Sequence, residues 1–216
     1  MKDRFDLLVF DWDGTLFDSI GWIVECLQRA AEASGLPIPS DTAAKSVIGL
    51  SIQEAMDALC PGAPPELAGR LVDHYRRHYN TRPTTVEGLF EGVPDMLAEL
   101  RSRGYRLAVA TGKARSGLDH ALKSTGMADF FHATRCADET ASKPNPKMLI
   151  QLMEQLGTQR ERTLMVGDSL HDLRMANNAG IAVVAVGCGA NGLDELAELN
   201  PLVCLEATRE LLNLLA

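Results

Sequence analysis

Four consecutive apolar residues, Leu7-Leu8-Val9-Phe10, run directly into two carboxylates one residue apart, Asp11 and Asp13. That junction constrains the chain more than any other stretch. An unbroken apolar run of this length reads as a strand buried on both faces, the kind found inside parallel sheets. In open α/β sheets, ligands bind beyond the carboxyl ends of the strands. Asp11 and Asp13 therefore stand where a reaction centre is expected. Gly14 follows and lets the backbone leave the strand sharply. An Asp-Gly turn at an ordinary strand end would also leave acids here, so the rest of the chain has to decide what the stretch means.

Downstream, the grammar is helical. Ser19 can cap a helix carrying Ile20, Ile23, Val24, Leu27, Ala30 and Ala31 at helical spacing, with Gly35 at its stop. A short helix is expected from Asp41 to Ile48, ending at Gly49. Ser51-Ile52-Gln53-Glu54 is a capping-box pattern opening another, to about Cys60. After the loop Pro61-Gly62-Ala63-Pro64-Pro65, Leu67, Leu71, Tyr75 and Tyr79 mark one side of a longer helix. Residues 20 to 82 thus read as an all-helical insert placed immediately after a buried strand.

From Val93 onward helices alternate with strands. Val93, Met96, Leu97 and Leu100 predict a helix stopped by Gly104, and Arg106 to Ala110 a strand ending at Thr111-Gly112. A helix follows over about Ser116 to Lys123, then a weaker strand over Ala133 to Ala137. Asn145-Pro146 starts a helix with proline at its first position. Thr163 to Val166 predicts a strand ending at Gly167-Asp168, Ser169 to Ala179 a helix, and Ile181 to Val186 a strand. Short elements near Leu202 to Leu205 and Arg209 to Leu215 close the chain. This alternation predicts a parallel α/β sheet.

Bulk properties narrow the classes of partner. The formal charge of −8 disfavours nucleic acid and anionic membrane surfaces. It would also repel a phosphorylated substrate unless local cations or a metal attract it. The five cysteines, Cys26, Cys60, Cys136, Cys188 and Cys204, include no Cys-x-x-Cys pair, which points to free thiols in a reducing cytoplasm. The N-terminal residues Met1 to Asp6 lack a signal peptide's apolar core, and no apolar run approaches the ~20 residues of a membrane span. A monomer is expected.

Asp11-Trp12-Asp13-Gly14-Thr15-Leu16-Phe17-Asp18-Ser19 resembles the first motif of the haloacid dehalogenase superfamily in its phosphatase form. Val109-Ala110-Thr111-Gly112 looks like the second motif. Lys143-Pro144 looks like the third, within the commoner Lys-Pro-x-Pro form, and Gly167 to Asp172 looks like the fourth. The second alone has almost no specificity; the four in order, over Phe5 to about Gly187, are specific in combination. The resemblance implies a Rossmann-like parallel core at residues 1–17 and 85–216 with an inserted all-helical cap at 18–84, and a cytoplasmic, phosphoglycolate phosphatase-like hydrolase.

The resemblance also assigns roles. Asp11 would be the nucleophile and a metal ligand. Asp13 would ligate the metal through its backbone carbonyl, its side chain serving as general acid and then base. Thr111 and Lys143 would hold phosphoryl oxygens, with Trp12 and Gly112 contributing to phosphate binding. Asp168 would ligate the metal, and Asp172 would support it from behind or through Lys143. Independently of the family, four carboxylates and a phosphate cannot share a pocket with one lysine unless a divalent cation relieves the repulsion. Oxygen ligands favour Mg²⁺ over zinc.

Other features are read as structural. His74 and His78 are one helical turn apart, but with Arg76 and Arg77 between them a solvated helix face is favoured over a metal site, a basic lip over an anionic substrate being the other use. Lys113 reads as a charge after the strand, and Met148, Met153 and Met165 as core. Where related mutases and phosphonate hydrolases place a cationic cap residue, this chain has Ile52, with Lys45 a substitute under a shifted alignment. The expected substrate is a small phosphorylated metabolite, phosphoglycolate-like or a sugar phosphate. The competing readings are a phosphosugar mutase of the same fold and a non-enzymatic phospho-receiver domain.

Overall fold

The computed structural model describes residues 4–216. Residues 1–3, which begin both the N-terminal segment and the expected core, lie outside the described residues. The first strand, β1 (Leu7–Phe10), is buried at all four positions, as its sequence requires. Four helices follow without an intervening strand: α1 (Ile20–Ala33), α2 (Asp41–Lys45), α3 (Ile52–Leu59) and α4 (Pro65–Tyr79). Then come α5 (Val93–Ser102), β2 (Arg106–Thr111), α6 (Arg115–Thr125), β3 (Ala133–Cys136), α7 (Lys147–Leu156), β4 (Thr163–Gly167), α8 (Leu170–Ala179), β5 (Ala182–Val186), α9 (Leu193–Ala197), β6 (Val203–Leu205) and α10 (Leu211–Leu214).

Among the described residues the strands form one six-stranded sheet, ordered β3-β2-β1-β4-β5-β6 and parallel throughout. The order reverses direction at β1, which makes the carboxyl end of β1 the topological switch point where such sheets open a crevice. Strand periodicity divides the core. Leu8, Phe10, Leu107, Val109, Leu164 and Val166 face one side, packed with residues of α5, α6 and α10. Leu7, Val9, Ala108, Ala110 and Met165 face the other, packed with residues of α7, α8 and α9. Alternate residues of each strand thus fill opposite layers, and both layers are apolar because helices cover both faces.

Helices α1 to α4 bury a third cluster of their own, including Ile23, Leu27, Ile48, Met56 and Leu71. They join the sheet layer through two chain segments that run side by side. Phe17 and Leu89 form an antiparallel bridge, Asp18 N–H donates to Gly88 O at 2.8 Å, and Phe90 N–H donates to Leu16 O at 3.0 Å. A Cβ on Gly88 would sit 2.2 Å from the Phe17 ring, so a side chain there would have to displace that ring.

Three local expectations need correction. Ser19 occupies the N-cap of α1, yet its hydroxyl makes no capping bond; it donates to Asp13 Oδ1 instead, at 2.6 Å. A charged acceptor outcompetes a backbone amide for that hydroxyl. Pro146 is the N-cap residue of α7 rather than its first helical position. α2 stops at Lys45, so the residues up to Gly49 form turns rather than helix. Among the described residues no helix is long and apolar enough to cross a membrane.

Candidate active site

Three adjacent strands deliver the polar groups. Phe10 pairs in register with Val109 of β2 and Val166 of β4. Asp11, Thr111 and Asp168 therefore leave neighbouring carboxyl ends together, and Asp11 N–H still donates to Val166 O at 3.0 Å. Lys143 reaches in from the loop ahead of α7. Its ammonium, fully buried, lies 2.7 Å from Asp11 Oδ1 and 2.7 Å from Asp172 Oδ1. These are ion pairs by distance, but none of the three atoms has a well-aligned hydrogen bond.

Asp168 and Asp172 are held by different means. Asp168 accepts from the Thr15 hydroxyl at 2.6 Å and the Ala190 N–H at 2.8 Å, both neutral donors. Asp172 belongs to the capping box that starts α8. Its Oδ2 accepts from Ser169 N–H and Oγ at 3.1 and 2.6 Å, which aims Oδ1 at Lys143. Gly14, at φ +82°, is required here twice over. Its conformation is left-handed, and a Cβ would fall 2.3 Å from Asp168 Oδ2.

The electrostatics follow from burial. Carboxylate oxygens of Asp11, Asp168 and Asp172 lie within 4.8 Å of one another, all buried, and Lys143 is the cation that pairs with Asp11 and Asp172. Burial pushes the Asp11 carboxyl well above the usual range despite Lys143, and Asp172 and Asp168 push the same way. Burial, reinforced by Asp172, raises Asp168 to about 7. Burial alone would disfavour the Lys143 ammonium, but Asp11 and Asp172 outweigh it and hold the charge. Three buried carboxylates facing one ammonium, with imperfectly satisfied atoms among them, make a donor set that fits a hard divalent cation such as Mg²⁺.

Asp13 is arranged differently. Its carboxylate meets Lys113 Nζ at 3.0 and 2.9 Å and the Ser19 hydroxyl at 2.6 Å. Lys113 also donates to Tyr79 Oη, at the end of α4, at 2.8 Å. Burial opposes the Lys113 charge, but Asp13 and then Tyr79 more than compensate. Lys113 is thus a member of the site that sequence reading assigned to the surface. The available signal was its place two residues past Thr111, at the carboxyl end of a parallel strand, where side chains turn toward the crevice. Thr15, Ser19 and Tyr79 were also missed as site residues. The Trp12 ring, by contrast, is core, stacked at 6.1 Å on Phe17.

The helical layer closes over these groups. Ser51 N–H donates to Ser142 Oγ at 2.8 Å, and His171 Nε2 lies 2.8 Å from Ser46 O. A Cβ on Gly112 would sit 2.4 Å from Leu50 O, so the turn before α3 rests on the backbone beside Thr111. A cavity of about 850 Å³ remains between the layers, reached by Asp11, Asp13, Thr111, Gly112 and Lys113 at its base and by Ile52 and Arg76 from above. His78 does not bind with His74; its ring lies 4.8 Å from Trp22 and its Nε2 3.7 Å from Glu25.

Residues 8–186 match the family model described as "Haloacid dehalogenase-like hydrolase". "Probable phosphatase IndB" of Dickeya dadantii (strain 3937) is 33% identical over 96% of this chain and 92% of its own length. The phosphoglycolate phosphatase of Nitrosococcus oceani is 28% identical over 100% of this chain and 99% of its own. A haloacid dehalogenase-like family hydrolase from Streptococcus pneumoniae superimposes with a TM-score of 0.83 at 23% identity, covering 98% of this chain and 99% of its own.

Proposed function

The chain belongs to the haloacid dehalogenase-like hydrolase family and is an enzyme of its phosphatase kind; from that premise we propose a Mg²⁺-dependent hydrolase of small phosphate monoesters, working through a phosphorylated Asp11. The observation that carries the reading is the buried Asp11 carboxylate, 2.7 Å from Lys143 at the switch point of the sheet. Phosphoglycolate and sugar phosphates are the first substrates to test. Residues 1–17 and 85–216 would serve as the core and 18–84 as a mobile cap, its paired connecting segments acting as the hinge.

An Asp11 oxygen attacks phosphorus, a new P–O bond forms, and the bond to the alcohol oxygen breaks. Asp13 passes a proton to that leaving oxygen. The proton would arrive with the monoester, whose second ionisation lies near about 6. Asp13 then takes a proton from water, the water oxygen attacks phosphorus, and the bond to Asp11 breaks to give inorganic phosphate. Lys143 and Thr111 hold the phosphoryl oxygens through both steps. Ser19 and Lys113 fix the Asp13 carboxylate. The side chains of Asp11 and Asp168 and the backbone carbonyl of Asp13 would hold Mg²⁺, with Asp172 supporting from behind. Bound Mg²⁺ supplies positive charge that offsets the carboxylates and polarises the phosphoryl group.

Ile52 supports hydrolysis over mutase chemistry, because it lines the cavity and offers no charge to a second phosphate. The test is phosphate release from a panel of monoesters with Mg²⁺, using wild-type protein and Asp11→Asn. Folded Asp11→Asn protein with near-normal turnover would remove Asp11 from the role of nucleophile. With β-glucose 1-phosphate and a trace of the 1,6-bisphosphate, NMR should show free phosphate or nothing. Glucose 6-phosphate accumulating faster than phosphate would establish the mutase instead.

A further inference from the structure

The cavity above the carboxylates has a composition that the catalytic residues do not explain. Its upper wall comes from the helical layer and carries an aliphatic patch of Ile23, Leu27, Ile48, Leu50 and Ile52, bordered by Tyr75, Arg76, Tyr79, Asn80 and Thr84. Beyond Asp11 and Asp13, the ionisable side chains that line it are Tyr75, Arg76, Tyr79, Arg82, Lys113 and His120. Lys113 is already taken by Asp13 and Tyr79. Arg76, Arg82 and His120 are exposed at the mouth, and the Arg82 guanidinium lies over the Trp22 ring at 5.8 Å.

A glycolate carboxylate or a ring of sugar hydroxyls placed against those five side chains would lose water and find no side-chain partner among them, which works against binding there. A two-carbon leaving group would also leave most of the roughly 850 Å³ to solvent. An apolar group would gain from the same surroundings, because each methylene moved out of water onto aliphatic side chains is favourable. A phosphate held at the carboxylate end orients the ligand so that its alcohol lies against the aliphatic patch.

We infer that, within the phosphate monoesters, this enzyme selects those whose alcohol is predominantly apolar and several carbons long, an alkyl chain or an aromatic ring seated beneath Ile48, Leu50 and Ile52. The inference rests on the phosphatase reading above.

The test is kcat/KM with Mg²⁺ for n-alkyl phosphates from ethyl to hexyl. Leaving-group acidity is nearly constant along that series, so a slope reports contact rather than intrinsic reactivity. Each added methylene should raise kcat/KM about two- to four-fold. A glycol-ether phosphate of comparable length should stay near ethyl phosphate, and 2-phosphoglycolate should fall below hexyl phosphate. Phenethyl phosphate ranked against hexyl phosphate tells which apolar shape fits, and either rank supports the inference if both exceed ethyl phosphate. Ile52→Asn and Leu50→Asn should flatten the slope. A flat or falling slope in an active enzyme, or 2-phosphoglycolate as the better substrate, overturns the inference and leaves the phosphatase reading standing. No Mg²⁺-dependent hydrolysis of any of these esters, nor of the more reactive anhydride acetyl phosphate, overturns both.

Discussion

Replacing Lys143 with methionine tests the electrostatic account of the site without relying on turnover. The side chain is 0% exposed and its ammonium sits 2.7 Å from two carboxylates. Methionine is unbranched and fills much of the lysine stem's volume, so the change removes chiefly the charge. Asp11, Asp168 and Asp172 are then left buried together without their cation. Removing one partner of a buried ion pair typically costs about 3–5 kcal/mol. For a chain of this size each kcal/mol moves Tm by about 2–4 °C, so a fall of about 6–20 °C is expected in EDTA. The pH dependence has a definite sign. Burial already raises Asp11 in the folded protein, and losing Lys143 raises it further. The folded state then binds more protons than the unfolded state above the ordinary carboxylate range, so stability falls as pH rises through that window. The Tm deficit should therefore be larger at pH 8 than at pH 5, and Mg²⁺ should recover more of it in the variant than in wild type. The assay is thermal unfolding by circular dichroism. A Tm within about 2 °C of wild type at pH 8 in EDTA would refute the claim that Lys143 balances the cluster.

Asp13→Asn should slow turnover by about 10²–10⁴-fold while Mg²⁺ affinity stays close to wild type, since the proposed contact is through the backbone; titration calorimetry showing no Mg²⁺ binding would contradict that division. Lys113→Met should release the Asp13 carboxylate and lower kcat by about ten-fold or more, and the double variant with Asp13→Asn should be little worse than Asp13→Asn alone. Additive losses would mean that Lys113 acts elsewhere than through Asp13. Cys26 and Cys136 are fully buried, and burial pushes each thiol up to about 12. At pH 8 only about one in 10⁴ would be thiolate, so mass spectrometry after alkylation should find both unmodified in native protein and modified in urea; equal labelling in the two conditions would show that neither is enclosed.

Sequence alone determined the α/β class, the buried first strand, the helical stretch inserted after it and the order of the motifs. These are local properties: a short apolar run such as Leu7 to Phe10, closed by a turn signal at Asp13-Gly14, reads as a strand with both faces covered. The grouping of Asp11, Thr111 and Asp168 was legible because each lies at a strand end that a parallel sheet brings to one edge, while Lys143, from a loop, and Asp172, from the first turn of α8, were joined to them by the motif resemblance. What tertiary structure decided is which partner each polar group chose. Ser19 is a good cap by its chemistry, yet its hydroxyl goes to Asp13, because folding places a charged acceptor 2.6 Å away. Lys113 looked like a surface charge because its partners come from elsewhere in the chain, Asp13 being 100 residues earlier and Tyr79 34. Most of the aliphatic patch was hidden for the same reason: Ile23 read as an apolar position of its own helix and Ile48 as the end of a short one, and only Ile52 was placed at the cap's substrate side. Only their convergence above the carboxylates turns part of that apolar surface into a wall of the cavity. Periodicity reports how one segment meets its surroundings, whereas the choice among long-range partners depends on distances that exist only once the whole chain has packed.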